Sequence, residues 1–179
     1  MPELPDPQSS RLIFHRHGVG DFAESAALWG DPAVTLYIGG VPSTPAESWS
    51  RLLRYAGHWA LTGYGFWVVR DQETGRFVGE VGLKQFRRDL DPAWEALPEA
   101  GWVMRPDAQG GGLATEAVRA ALAWGDDHFG WARVVCMIDP GNAASLRVAA
   151  KCGFVACART QYRQKEVVIL ERERKELLF

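Results

Sequence analysis

The stretch from Glu99 to Asp127 constrains this chain more than any other. EAGWVMR, Glu99 to Arg105, reads as a strand that Pro106 ends, because proline cannot donate to a sheet ladder. Leu113, Ala117, Ala120, Ala121 and Trp124 then recur every three or four residues, with Glu116, Arg119 and Asp126 on the opposite face, which predicts an amphipathic helix. Between the two lie Gln109, Gly110, Gly111 and Gly112. A strand that leads through such a loop into a helix aims several unpaired backbone N–H groups and the positive end of the helix dipole at one point, and that point attracts an anion. Glycines suit the task because they let oxygens approach the amides and accept positive φ.

Several readings compete for this segment. A P-loop needs Gly-Lys-Ser/Thr at the helix entry, and the chain has Gly112-Leu113-Ala114 there. A dinucleotide fold places spaced glycines after an early strand, with an acidic residue some way beyond, whereas these glycines are contiguous and late. A glycine-rich turn that only joins strand to helix is the plainer alternative, and three glycines alone do not separate it from an anion site.

The flanking sequence supplies an α/β frame within a length of 179 residues, enough for one domain with its own core. Residues 1–10 are rich in proline and polar residues and are expected to fray, leaving 11–179 as the domain. Strands are predicted at Arg11 to Arg16, Gly65 to Arg70, Arg76 to Phe86, Glu99 to Arg105, Ala132 to Ile138, Phe154 to Tyr162 and Glu166 to Glu171. DQETG joins the second and third as a hairpin. Helices are predicted from Asp21, placed to cap the first turn, to Trp29; from Ser43 or Thr44 to about Leu61, with Pro45 in the first turn and Glu47 in capping-box spacing; over the segment after Gly112; and from Ala143 to Cys152, with Asn142 near its cap. Arg87 to Pro98 reads as a loop.

Lys and Arg number 20 against 22 Asp and Glu, so neither nucleic acid nor an anionic membrane is expected as a partner. No apolar run is long enough to span a bilayer and MPELPDPQSS does not resemble a signal peptide, so a cytoplasmic location is expected. Cys136, Cys152 and Cys157 have no metal-binding spacing and are expected to be reduced and buried, and the four histidines form no HxxxH pair, so no metal is expected. The eight tryptophans read as core, or as the wall of a substrate cleft.

Gln109-Gly110-Gly111-Gly112-Leu113-Ala114 resembles the Q/R-x-x-G-x-G/A signature of the GNAT acetyltransferase superfamily. The resemblance extends through RLIFHRH, GHWALTGYGFWVV, TGRFVGEVGL, EAGWVM, GGLATEAVRAALAW and DPGNAASLRVAAKCGF to the ribosomal-protein N-acetyltransferase-like, Rim-type branch. A second ordered motif is Asn142-x-x-Ser145 followed by Val148, Lys151 and Gly153-Phe154. The resemblance implies a single-domain GNAT fold, a mixed and centrally splayed sheet of about seven strands flanked by about four helices. It implies acetyl-coenzyme A as co-substrate, entering between the strand of EAGWVM and that of ARVVCMI. Main chain of Trp102, Val103 and Met104 would pair with the pantetheine arm, and the amides of Gln109, Gly110, Gly111, Gly112, Leu113 and Ala114 would hold the pyrophosphate, with Thr115 adding a hydroxyl. Arg105 would reach a phosphate or face solvent. Asn142 would touch the pantetheine, cap its helix, or both.

The implied reaction is N-acetylation of a primary amine, on a small molecule or a protein N-terminus. Acyl transfer to an amine needs a base for the amine and a donor for the departing thiolate. Glu99 aligns with the glutamate that opens this strand in many family members and is the first candidate base, acting directly or through water. Glu80, in FVGEVGL, is the second, since alternation can aim it into the same cleft. Many members carry a tyrosine where this chain has Ala149; Ser145 is the remaining donor near the thioester. That missing tyrosine leaves a catalytically idle acyl-coenzyme-binding module as the alternative. His58 and Trp59, with Tyr64, Phe66 and Trp67, line the acceptor pocket or pack the core. Family members often dimerise; no pattern in this chain speaks to it.

Overall fold

A computed structural model describes residues 4–88, 90 and 92–174. The elements run β1 (Leu12–Arg16), α1 (Phe22–Trp29), α2 (Pro32–Thr35), α3 (Pro45–Thr62), β2 (Phe66–Asp71), β3 (Phe77–Lys84), α4 (Pro92–Glu95), β4 (Glu99–Met104), α5 (Leu113–His128), β5 (Arg133–Ile138), α6 (Ala143–Lys151), β6 (Val155–Tyr162) and β7 (Lys165–Glu173). The seven strands form one sheet in the order β1-β2-β3-β4-β5-β7-β6. Every neighbouring pair is antiparallel except β4 and β5. The four longer helices stand where the periodicity placed them, and α3 carries the reciprocal Thr44–Glu47 capping box. The short α2 and α4 are additions to that expectation; α4 interrupts the stretch read as a loop.

Strands β2 and β3 are buried on both faces, and so are their nearly continuous apolar sequences. One face of the sheet packs on α5, where Leu83 meets Gly125. The other packs on α1 and α3. The core centres on three tryptophans in edge-to-face contact, with ring centroids 5.0 Å apart for Trp59–Trp67, 4.9 Å for Trp67–Trp124 and 5.8 Å for Trp59–Trp124.

These indoles explain the first residues of the chain. A buried indole N–H without an acceptor would cost about 1–3 kcal/mol. Trp59 Nε1 donates to the Phe66 carbonyl (2.9 Å), Trp67 Nε1 to Asp6 Oδ1 (2.9 Å) and Trp124 Nε1 to the Pro5 carbonyl (2.6 Å). The segment expected to fray therefore supplies two of the three acceptors, from 5 and 6; residues 1–3 of it lie outside the described residues. Glu116 on α5 fastens the same segment, accepting from Ser9 Oγ (2.7 Å), Ser10 Oγ (3.1 Å), the Arg11 amide (2.9 Å) and Arg11 Nε (2.6 Å). Composition alone reads polar and proline-rich residues as loose, because it does not register what their carbonyls and carboxylates can satisfy.

Two smaller expectations change. Asp21 does not cap α1: its carboxylate accepts from the Gly18 amide (2.9 Å) and from Arg70 Nη2 (3.0 Å). Cys136 and Cys152 are buried, but Cys157 is exposed on β6 at the sheet edge. No helix among the described residues is long and apolar enough to cross a membrane.

Partial burial pushes the Glu116 carboxyl up, but Ser9 and Arg11 outweigh it and hold the group at about 2 against an ordinary 4.5. A carboxyl depressed on folding stabilises the protein fully above its unfolded pKa and loses that contribution as pH falls through the folded value. Glu116→Gln should therefore be less stable than the parent at neutral pH, and the difference should close between about 4.5 and about 2. Urea unfolding of both proteins across that range checks it; a constant difference would mean that the tether does not depend on the charge.

Candidate functional site

Strands β4 and β5 share one register pair, Glu99 with Val135, and the bond from the Val135 amide to the Pro98 carbonyl (3.0 Å) closes their contact. Beyond it they part. Each arm is braced on its far side, β4 by six register pairs to β3 and β5 by six to β7, so neither can swing across to close the gap. The Arg105 amide donates to Val78 (2.9 Å), which fixes the phase of the β3–β4 ladder. With a period of two, Gly101 and Val103 turn their main chain to β3, whereas Ala100, Trp102 and Met104 turn theirs to the gap. Of the three residues expected to offer main chain to the coenzyme, Trp102 and Met104 face the gap and Val103 faces β3.

The gap opens into a cleft of about 480 Å³ bounded by α1, α3, the ends of β3 to β5, the start of α6 and the β6–β7 turn. Gly101 makes room in its wall for Phe66, since a Cβ at that position would stand 2.7 Å from Phe66 Cζ and push the ring aside. Glu99 lies at the root of the parting and lines the cleft, paired with Arg88. Arg88 in turn stacks 3.7 Å over the Phe86 ring. Burial pushes the Glu99 carboxyl above its ordinary value, outweighing the pull of Arg88 and of Lys84, its register partner on β3. Asn142 and Ser145 reach the cleft from α6. Asn142 Oδ1 accepts from the Ser145 amide (3.0 Å), so one residue both caps α6 and lines the cleft.

Glu80 is elsewhere. It is fully buried behind the cleft wall, where Ser25 Oγ (2.6 Å) and Trp29 Nε1 (2.9 Å) from α1 and the Tyr55 hydroxyl (3.1 Å) from α3 donate to its carboxylate. His17 Nε2 stands 3.2 Å from Oε1, at ion-pair distance though not in hydrogen-bond alignment. Burial pushes this carboxyl up, but His17 and the hydroxyl and indole donors outweigh it and hold it below the ordinary value. The reading of Glu80 as a base in the cleft is thus corrected: alternation does aim it at the α1 and α3 side, but Trp29 and Tyr55 lie between it and the open space. Sequence could not show this, because its partners come from three separate segments.

At the far end of β4, the amides of Gly110, Gly111, Gly112, Leu113, Ala114 and Thr115 have no acceptor among the described residues. Gly110 (φ +89°) and Gly112 (φ +80°) are left-handed, and a Cβ at Gly110 or Gly111 would meet open space. The Gln109 amide is taken by Pro106, while its side chain reaches the Met104 carbonyl (3.4 Å). Arg105 turns aside to Asp107 (3.0 and 3.1 Å). The cation beside the loop is Arg11, whose Nη1 donates to the Gly111 carbonyl (3.1 Å); nothing in its local sequence points there, since it is held by Glu116 from 105 residues away.

The model of the acetyltransferase (GNAT) domain family matches residues 11–155. The chain belongs to the GNAT acetyltransferases. It is 30% identical over 151 residues to the uncharacterized protein YkkB of Bacillus subtilis (strain 168), covering 82% of each chain. A putative GnaT-family acetyltransferase from Bordetella pertussis superposes with a TM-score of 0.82 at 31% identity, over 92% of this chain and 97% of that one. The spermidine N-acetyltransferase from Vibrio cholerae, solved in complex with CoA and spermine, shares the fold with a TM-score of 0.73 at 18% identity, over 92% and 96%.

Six unclaimed amides at a helix start fit a pyrophosphate, and the main chain of Trp102 with the Met104 amide, turned to the gap, fits an amide-bearing arm, so this acetyltransferase has residues suited to coenzyme A along the second half of β4 and in the loop beyond it. Ala149, at the position where the resemblance implies a tyrosine, is fully buried in the core. Most of the aromatic set weighed for the acceptor pocket is core as well. Trp59 and Trp67 are buried, and His58 is fixed at both ring nitrogens, by the Tyr64 carbonyl (2.7 Å) and the Gln85 amide (3.1 Å). Phe66 alone of that set reaches the cleft, joined by Tyr37 and Tyr162, which carry no motif. Among the described residues no three or more His, Cys, Asp or Glu side chains are grouped to hold a metal ion.

Glu80→Gln removes the charge that four groups converge on, and breaking a buried pair of this kind costs about 3–5 kcal/mol. Chemical denaturation should report that loss. Acetyl transfer per folded molecule should fall less than about tenfold, far short of a general base's contribution. A stable variant with activity reduced more than that would return Glu80 to the chemistry.

Proposed function

We propose that this protein transfers an acetyl group from acetyl-coenzyme A to a primary amine, with Glu99 as the base that frees the amine for attack. The observation that carries the reading is the parting of β4 from β5: it places unpaired main chain, Glu99 and Ser145 around one cleft. The coenzyme supplies the acetyl group as an activated thioester. The free backbone amides of Gly110 to Thr115 hold its pyrophosphate, with Arg11 beside them; Gln109, expected among them, has its amide on the Pro106 carbonyl and braces the loop instead. Trp102 and Met104 align its arm along β4.

Glu99 takes a proton from the amine, directly or through one water. Its carboxyl lies above the ordinary value, which brings it closer to the range where a base both ionises and accepts a proton effectively. Arg88 opposes that rise, favouring the ionised form in a site where burial favours the acid form. Ser145 Oγ, which has no protein partner among the described residues, donates a hydrogen bond toward the departing sulfur, and its amide is fixed by Asn142. A hydroxyl stays far below its own pKa near neutrality, so its part is to stabilise charge rather than to give up a proton outright.

Glu99→Gln should slow turnover by roughly 100- to 10,000-fold while leaving the Kd for coenzyme A unchanged, measured by thiol release and by calorimetry. The parent should show an acid limb in log kcat/KM above the ordinary carboxylate range of about 4.3, and the variant should lack it. A parent-like rate would assign proton removal to water. Gly112→Val puts a branched side chain on a left-handed residue within the amide run and should weaken coenzyme A binding about tenfold or more; unchanged affinity would overturn the pyrophosphate site.

A further inference from the structure

Six cationic side chains line the cleft, against two carboxylates among the described residues. Among the described residues Arg88 is the one of the six whose carboxylate partner, Glu99, also lines the cleft. Lys165, whose Nζ donates to the Gly39 carbonyl (3.4 Å), and Arg163, 5.4 Å over the Tyr162 ring, stand apart at the β6–β7 turn, whereas Arg51, Arg54 and Lys84 lie together on the α3 and β3 side. Arg51 and Arg54 follow one another by a turn of α3, and Lys84 ends β3 on the same side of the sheet. Arg51 lies 3.7 Å over Trp29 and gives Nη2 to Ser43 Oγ (3.2 Å), but its Nη1 is buried with no acceptor. Lys84 stands over the rings of Phe86 (5.0 Å) and Tyr55 (5.7 Å). Neither these two nor Arg54 has a carboxylate within ion-pair distance among the described residues.

The nearby acids are engaged. Glu80 is saturated behind Tyr55 and Trp29, Glu47 is held by Thr44, and Asp139 accepts from the Gly141 amide (2.8 Å). Nor do the coenzyme's phosphates explain the cluster, since none of the residues from Arg105 to Thr115 lines this cleft. Burial, then Arg54 and Arg88, pushes the Lys84 ammonium down, so these like charges sit close enough to repel one another. Such a convergence becomes favourable when an anion joins it.

We propose that the acceptor amine carries an anionic group, a carboxylate or a phosphate, held by Arg51, Arg54 and Lys84 while the amine faces Glu99. This rests on the acetyl-transfer reading above and adds the class of acceptor to it. Lys84 and Glu99 are register partners, so both side chains leave the sheet on the same face, and Lys84, Arg51, Arg54 and Glu99 all line one cleft. A polyamine, the class named for the Vibrio cholerae protein, would bring further positive charge against the three cations instead.

The test is calorimetric titration of the full chain, with and without saturating coenzyme A, using glutarate, inorganic phosphate and spermidine as probes. At least one anion should bind, and Arg54→Gln/Lys84→Gln should weaken it about tenfold or more, with Arg54→Gln alone giving a partial loss should the double variant fail to fold. Glutarate in preference to phosphate assigns a carboxylate, and the reverse assigns a phosphate. In turnover, glycine should exceed glycinamide, or phosphoethanolamine exceed ethanolamine, through KM rather than kcat. Binding of neither anion, anion binding unchanged in the variants, or spermidine binding more tightly than both anions would overturn the proposal. Failure to bind coenzyme A would instead sink the acetyl-transfer reading, and the two failures are read from separate titrations.

Discussion

A sheet normally satisfies its backbone by pairing every inner strand on both sides. Here β4 is paired fully with β3 and by one residue with β5, and nearly everything of functional interest follows from that interruption. The antiparallel ladders on the outer flanks keep the two arms apart, so the main chain of Trp102 and the Met104 amide facing the gap are a standing property of the fold. The same geometry sends the end of β4 into the glycine loop, where six amides face outward from the start of α5. One strand thus connects two places that lack hydrogen-bond partners, and an extended molecule with amides along its length and phosphates at its end fits both.

Two carboxylates near this strand show how environment divides labour between identical groups. Glu80 and Glu99 both lie on the α1 and α3 side and both are largely removed from water. Glu80 gathers donors from β1's end, α1 and α3, is held below its ordinary pKa, and ties three segments to β3. Glu99 has a single cationic partner, is pushed above its ordinary value, and faces open space. The first contributes to holding the chamber together. The second is left able to change its protonation.

The excess of positive charge around the cleft is set against a chain whose overall balance is slightly negative. Whole-chain charge therefore says little about what the cleft prefers. Arg51 and Arg54 come from α3 and Lys84 from β3, and only the fold turns them toward one space.

The sequence by itself determined the strand, glycine loop and helix of residues 99–127, the capped start of α3 and the family, because these depend on local periodicity, turn chemistry and short motifs. It placed Glu99, Asn142 and Ser145 among the candidates for the same reason. It ranked Glu99 ahead of Glu80 but could not show that Glu80 is walled off from the cleft, nor separate His58 and Trp59 from Phe66, since these differ in what distant segments bring against them. It also read residues 1–10 as loose, because the indoles and the Glu116 carboxylate that hold Pro5, Asp6, Ser9 and Ser10 lie far along the chain. The tertiary structure decided those matters. Burial, hydrogen-bond satisfaction and the meeting of like charges are properties of residues brought together in space, and the order of residues along a chain does not contain them.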